Sequence, residues 1–139
     1  MSGMPTAFTH RLAVRFRDCD MLGHVNNAVY FTYLEQARLA WWRHLGSGTG
    51  FPGANTVIVH ASFDYRAPAF LNDELDIRVT LAGIGRTSVT LTYEVVNAAT
   101  GQTLGEARTV NVTVDGSGTK TIPVPDHTRA LLNGAGNPA

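Results

Sequence analysis

Two carboxylates and an imidazole fall within the seven-residue segment Asp18-Cys19-Asp20-Met21-Leu22-Gly23-His24. The next residues, Val25-Asn26-Asn27-Ala28-Val29-Tyr30, lead into a helical pattern. A helix start exposes N–H groups with no acceptor inside the helix and carries partial positive charge, so it stabilises an oxyanion. A carboxylate beside it can attack a carbonyl carbon or take a proton from water. Asp20 before a helix start therefore suits acyl transfer, and Gly23 would let the backbone approach a substrate closely. On residue type alone Asp20 equally suits a turn, where a short carboxylate bonds nearby amides.

The neighbouring polar residues have plainer readings too. Asp18 reads as structural, paired with Arg17 or bonded to the loop. His24 can orient the loop or serve as a base. Glu35, two turns into the expected helix, can pair with Arg38 or Arg66, bind loop amides, or act as a second catalytic carboxylate. Buried beside Asp20, it would raise one of the two pKa values by repulsion. Cys19 reads as a small buried thiol rather than a nucleophile, and Trp41 and Trp42 as core or interface. The five histidines and the single cysteine have no metal-ligand spacing, so no metal site is expected.

These residues need elements to hold them. Phe8, Leu12, Val14 and Phe16 share one parity against Thr9, Arg11, Arg15 and Arg17, which predicts a half-buried strand. From about Asn26 the period changes, and Tyr30, Leu34, Ala37, Trp41 and Leu45 form one helical face. Asn26 or Asn27 suits the helix cap and Gly46 the left-handed stop. Ser47 to Asn55 reads as a loop. Val57, Val59, Ala61, Phe63 and Tyr65 predict a second strand. Leu75 to Leu81, Val89 to Val95, and Leu104 to Val114 predict three more, joined by short turns as a meander. Asp126 to Leu132 can form a short helix, and Asn133 to Ala139 is expected to fray. The expected whole is a single α+β domain spanning 1–139. Its core covers about 8–115, an extension covers 116–139, and an antiparallel five-stranded sheet wraps one long helix.

Composition narrows the function classes. Eleven basic residues balance 11 acidic ones, and Lys120 is the only lysine. Electrostatic capture of nucleic acid or an anionic membrane is thus disfavoured. Hydrophobic residues make up 44% and charged residues 16%, enough for a packed core. The lone cysteine permits no intrachain disulfide. With no apolar run near the roughly 20 residues of a membrane span and no visible signal peptide, a cytoplasmic protein is expected.

Phe16-Arg17-Asp18-Cys19-Asp20, Gly23-His24-Val25-Asn26-Asn27, Tyr30 and Glu35-Gln36-Ala37-Arg38 resemble the signature of the 4-hydroxybenzoyl-CoA thioesterase-like group of hotdog enzymes. Tyr65-Arg66-x-Pro68 with Asp73, and Gly85-Arg86-x-Ser88, are similar to weaker motifs of the same group. The resemblance runs from about Phe8 to Val114. It implies hydrolysis of acyl-CoA or acyl-carrier-protein thioesters by homodimers or homotetramers with sites shared between subunits. It implies Asp20 as nucleophile or general base, and the Asn27 backbone N–H as the group polarising the carbonyl. His24 matches a catalytic histidine of plant acyl-carrier-protein thioesterases, but Leu22 stands where that pattern has Asn. Gly23, Arg66, Arg86 and Ser88 are the candidates for contact with substrate or CoA. CoA is then part of the substrate, and no cofactor is expected. Two other readings remain. An acyl-CoA hydratase or dehydratase would use Asp20 and His24 together, although the Asn-Pro-Ile stretch between such residues is absent. A non-catalytic hotdog domain would bind acyl-CoA without turnover.

Overall fold

The computed structural model describes residues 6–46 and 50–134. Five strands form one antiparallel sheet in the order β1-β3-β4-β5-β2. They are β1 (Ala7–Ala13), β2 (Asn55–Tyr65), β3 (Glu74–Ile84), β4 (Ser88–Asn97) and β5 (Thr103–Val114). A long helix, α1 (Val29–His44), joins β1 to β2, and a second helix, α2 (Asp126–Gly134), follows β5. This is the hotdog arrangement the sequence led us to expect. Strands β3, β4 and β5 form the meander, whose inward residues Leu75, Ile77, Val79, Val89, Leu91, Tyr93 and Val95 are buried. Against them α1 buries Tyr30, Tyr33, Leu34, Ala37, Trp41 and Trp42. The Trp41 ring stacks on Trp42 and Phe8, with centroids 5.4 and 6.5 Å apart. Both tryptophans are therefore core.

Two expected boundaries move, each for a local reason. Strand β1 ends at Ala13 rather than Phe16. The Asp18 carboxylate takes the Arg15 N–H at 3.0 Å and draws the chain into a 3-10 turn over Phe16–Asp18. Phe16 consequently points to solvent, 82% exposed.

Helix α1 begins at Val29 rather than Asn26. The Asn26 side chain accepts from the Ala28 N–H (2.9 Å) and its carbonyl accepts from the Val29 N–H (3.0 Å), so Asn26 caps a turn just ahead of the helix. Gly46 does sit in the left-handed conformation at the helix end, φ 85°.

Strand β2 is largely exposed. It is the last strand of the sheet, and Val57, Ile58, Val59 and Tyr65 are 41%, 42%, 60% and 48% exposed. Its pairing with β5 is irregular between Ile58 and His60. The short helix near the C-terminus is present and ends at Gly134. It is tied down by Thr128, whose hydroxyl donates to the Pro52 carbonyl at 2.6 Å. The expected fraying of Asn133 to Ala139 falls mainly on 135–139, outside the described residues.

Candidate active site

The segment from Asp18 to Asn26 is a closed loop fastened at its root. The Asn26 N–H donates to the Asp18 carbonyl (2.9 Å), Cys19 and Val25 form a bridge, and the Asp20 N–H donates to the His24 carbonyl (2.9 Å). Gly23, at φ 85°, makes the reversal, a backbone shape that other residues adopt only with strain. A second loop, between β2 and β3, lies alongside. There the Val25 N–H donates to the Ala69 carbonyl (2.9 Å), and His24 bridges to Phe70. The two loops and the head of α1 enclose a pocket of about 390 Å³ lined by Asp20, His24, Asn27, Tyr30, Tyr65 and Arg66, among others.

Inside this pocket Asp20 and Asn27 hold complementary groups. One Asp20 oxygen, Oδ1, accepts from the Leu22 N–H at 2.9 Å, which fixes the side chain and leaves Oδ2 without a protein partner among the described residues. The Asn27 carbonyl accepts from the Tyr65 hydroxyl at 2.8 Å, while its N–H has no acceptor among the described residues. A residue with an unpaired carboxylate oxygen and a residue with an unpaired amide just ahead of a helix therefore line one cavity. His24 stands beside them. Its Nδ1 lies 3.3 Å from the Val25 carbonyl and 3.8 Å from Asp20 Oδ1. The second distance is too long for a hydrogen bond.

Asp18, two residues before Asp20, is 2% exposed. It pairs with Arg15, not Arg17. Nη2 of Arg15 donates to Oδ1 at 2.9 Å, and the Arg15 N–H and the Tyr33 hydroxyl donate to Oδ2 at 3.0 and 2.8 Å. Burial pushes its pKa up, but these donors outweigh that and hold it below the usual carboxylate value. The opposite effect is seen at Tyr33, where burial and the adjacent carboxylate push the phenol far up. Cys19 is half-buried, with its Sγ 3.7 Å from the Arg15 carbonyl.

Of the remaining candidates Arg66 lines the Asp20 pocket, whereas Glu35, Arg86 and Ser88 lie elsewhere. Glu35 is exposed and lines a different cavity, of about 490 Å³, with Arg38, Leu39 and Trp42 on α1 and Asn55 to Ile58 on β2. None of the pairings expected for it forms. Arg38 donates to the Tyr93 hydroxyl (3.1 Å), and Arg66 to Glu106 (2.8 Å). Glu35 sits on the second turn of α1 and lines a cavity that Asp20 does not share.

Arg86 and Ser88 are also remote from Asp20. Ser88 stands level with Val57 across β5, whereas Tyr65 stands level with Val95. Seven β4 residues separate the two levels, roughly 23 Å at strand rise. Gly23 shapes the loop but does not line the pocket. Sequence reasoning gave no site role to the Tyr65 hydroxyl or to the Tyr33–Asp18 bond. Tyr65 stood in the quoted motif, but its partner, the Asn27 carbonyl, is 38 residues away. Among the described residues no three His, Cys, Asp or Glu side chains are grouped to hold a metal ion.

Residues 14–132 match the thioesterase-like superfamily. The chain belongs to that family. The matched stretch takes in the Asp18–Asn26 loop, α1, the sheet from β2 onward and most of α2. YsmA of Bacillus subtilis (strain 168), an uncharacterised protein, is 32% identical over 87 residues, covering 63% of this chain and 59% of YsmA. The acyl-CoA thioester hydrolase YbgC of Escherichia coli O6:H1 is 32% identical over 113 residues, covering 79% of this chain and 84% of YbgC. Among solved structures, a Thermus thermophilus thioesterase complexed with coenzyme A and Zn superposes with a TM-score of 0.79 at 31% identity, covering 94% of this chain and 95% of that one.

Proposed function

We propose that this chain hydrolyses acyl-CoA thioesters to the free acid and CoA, with Asp20 as the catalytic carboxylate. The observation that carries this is the shared pocket, lined both by Asp20, whose Oδ2 is unpaired among the described residues, and by Asn27, whose N–H is likewise unpaired. A thioester carbonyl oxygen pointed at the Asn27 N–H and the head of α1 would have its developing negative charge stabilised there. Asp20 then attacks the carbonyl carbon or takes a proton from a water that does so. The carbon–sulfur bond breaks, and the thiolate leaves and takes up a proton; where Asp20 itself attacked, water then hydrolyses the acyl–Asp20 anhydride, releasing the acid and restoring the carboxylate. Thiolate is a good leaving group, so the reaction asks for no resident cofactor, and CoA is part of the substrate. His24 lines the pocket, but its imidazole is not hydrogen-bonded to the Asp20 carboxylate, which fits a secondary role in orienting the loop. The activity of YbgC and the CoA held by the Thermus protein support CoA as the thiol.

A second copy of the chain completes this reading. Strand β2 is an edge with exposed Val57, Ile58 and Val59, a template for pairing with another strand. Antiparallel pairing of β2 with its own copy about the strand midpoint, near His60, makes an isologous dimer. It sets the Tyr65 end of one copy beside the Asn55 end of the other. Arg86, Ser88 and Glu35 of the second copy then lie near the Asp20 pocket of the first, which their own chain keeps apart.

The test is release of free thiol from short, long and aromatic acyl-CoAs, with an enoyl-CoA included to score hydration instead. The parent should release thiol, and Asp20→Asn should lower kcat by about a hundredfold or more while the protein stays folded. Near-normal turnover by Asp20→Asn on a good substrate would remove Asp20 from the mechanism.

A further inference from the structure

Asp18 is the one buried charged side chain among the described residues. Taking a carboxylate out of water is unfavourable unless every oxygen is well satisfied, and an apolar residue of similar size often serves stability as well. Here the carboxylate is satisfied from two directions: Arg15 at the end of β1, and Tyr33 on the second turn of α1. The backbone of the same residue does a third job, because its carbonyl accepts the Asn26 N–H and closes the loop. One residue thus ties together the end of β1, the root of the Asp20 loop and the helix whose head carries Asn27. Asp20 itself is held only within its loop, through Leu22, Gly23 and His24, so the bonds of Asp18 fasten that loop to β1 and α1 from one side, as those of Val25 and His24 fasten it to the β2–β3 loop from the other.

We infer that Asp18 is a positioning residue: anchored by Arg15 and Tyr33, it fixes the Asp20 loop on α1 and acts on catalysis only through Asp20. This rests on Asp20 being the catalytic carboxylate. Misplacing a reacting group by about 1 Å can cost on the order of a hundredfold in rate.

Two substitutions test it. Asp18→Asn keeps the shape and removes the charge. Tyr33→Phe keeps the ring packing, removes a single hydroxyl, and carries the test alone if Asp18→Asn does not fold. Each should lower kcat by about tenfold to a hundredfold, with KM for acyl-CoA changed by less than about twofold. Amide hydrogen exchange at Asp20 and Asn26 should quicken while amides of β3, β4 and β5 keep their protection. In an Asp20→Asn background neither substitution should lower the residual rate further, because groups acting as one unit are not additive.

An unchanged kcat in a folded variant overturns the inference and leaves the Asp20 reading intact. So does a loss repeated in full on the Asp20→Asn background. If Asp20→Asn itself keeps its turnover, the Asp20 reading falls, and the positioning role falls with it.

Discussion

Asp18 and Asp20 are two residues apart and sit in different surroundings. The side chain of Asp20 is 30% exposed and keeps one oxygen free, while that of Asp18 is 3% exposed with both oxygens engaged. This difference has a pH signature. The folded pKa of Asp18 lies below its ordinary value of 3.8, so the native state binds that proton more weakly than the unfolded chain does. Its contribution to stability is then whole above about pH 4 and is lost as the pH falls through the lower, folded value. The urea midpoint should therefore drop on acidification below about pH 4. The drop should be shallower in Asp18→Asn, and an equal drop in both proteins would mean that Asp18 is not the group responsible. Residue types alone put the Asp20 carboxylate just ahead of a helix start, while the role of the Asn27 N–H came only from the family resemblance. The partner of Asp18 was misjudged as Arg17, since which arginine meets it depends on where β1 stops.

At the scale of elements, the site depends on how β2 and α1 meet. The ring of Phe63 on β2 packs over Gly105 of β5, where a Cβ would collide with it. The same ring touches Tyr30, Phe31 and Tyr65, with centroids 4.9, 6.2 and 4.5 Å away. Glycine at 105 thus lets the edge strand carry an aromatic cluster down to the pocket wall, where Tyr65 reaches the Asn27 carbonyl. Gly105→Ala should cost about 1–3 kcal/mol by forcing that ring aside. Thermal unfolding measures this, and a midpoint within a degree of the parent would show the cluster to be slack. The long helix and the meander were legible because their periods of about 3.6 and 2 run for ten residues or more. The ends of β1 and α1 were not, because the side chains of Asp18 and Asn26 compete with the backbone pattern there.

At the scale of the molecule, an exposed edge and a divided set of site candidates point the same way. A charge placed on the edge should block pairing while barely touching the fold, because Ile58 is 42% exposed on an edge strand. Ile58→Lys is therefore expected to give a folded monomer by light scattering where the parent is a dimer. Its KM for acyl-CoA should rise as Arg86 of the second copy is lost. A parent that is already monomeric at assay concentrations, or an Ile58→Lys dimer, would reject β2 as the interface. Among the described residues no helix is long and apolar enough to cross a membrane.

The sequence by itself determined the five strands, the long helix, their order and the loop that carries the candidate chemistry. Those follow from local hydrophobic period and from residue types at turns, which neighbouring residues specify together. The tertiary structure decided which of the candidates meet. It put β2 at the edge, gave Arg66 to Glu106 and Arg15 to Asp18, and left Glu35, Arg86 and Ser88 away from Asp20. Such pairings join positions far apart in the chain, and nothing in the local pattern around either partner encodes the distance between them.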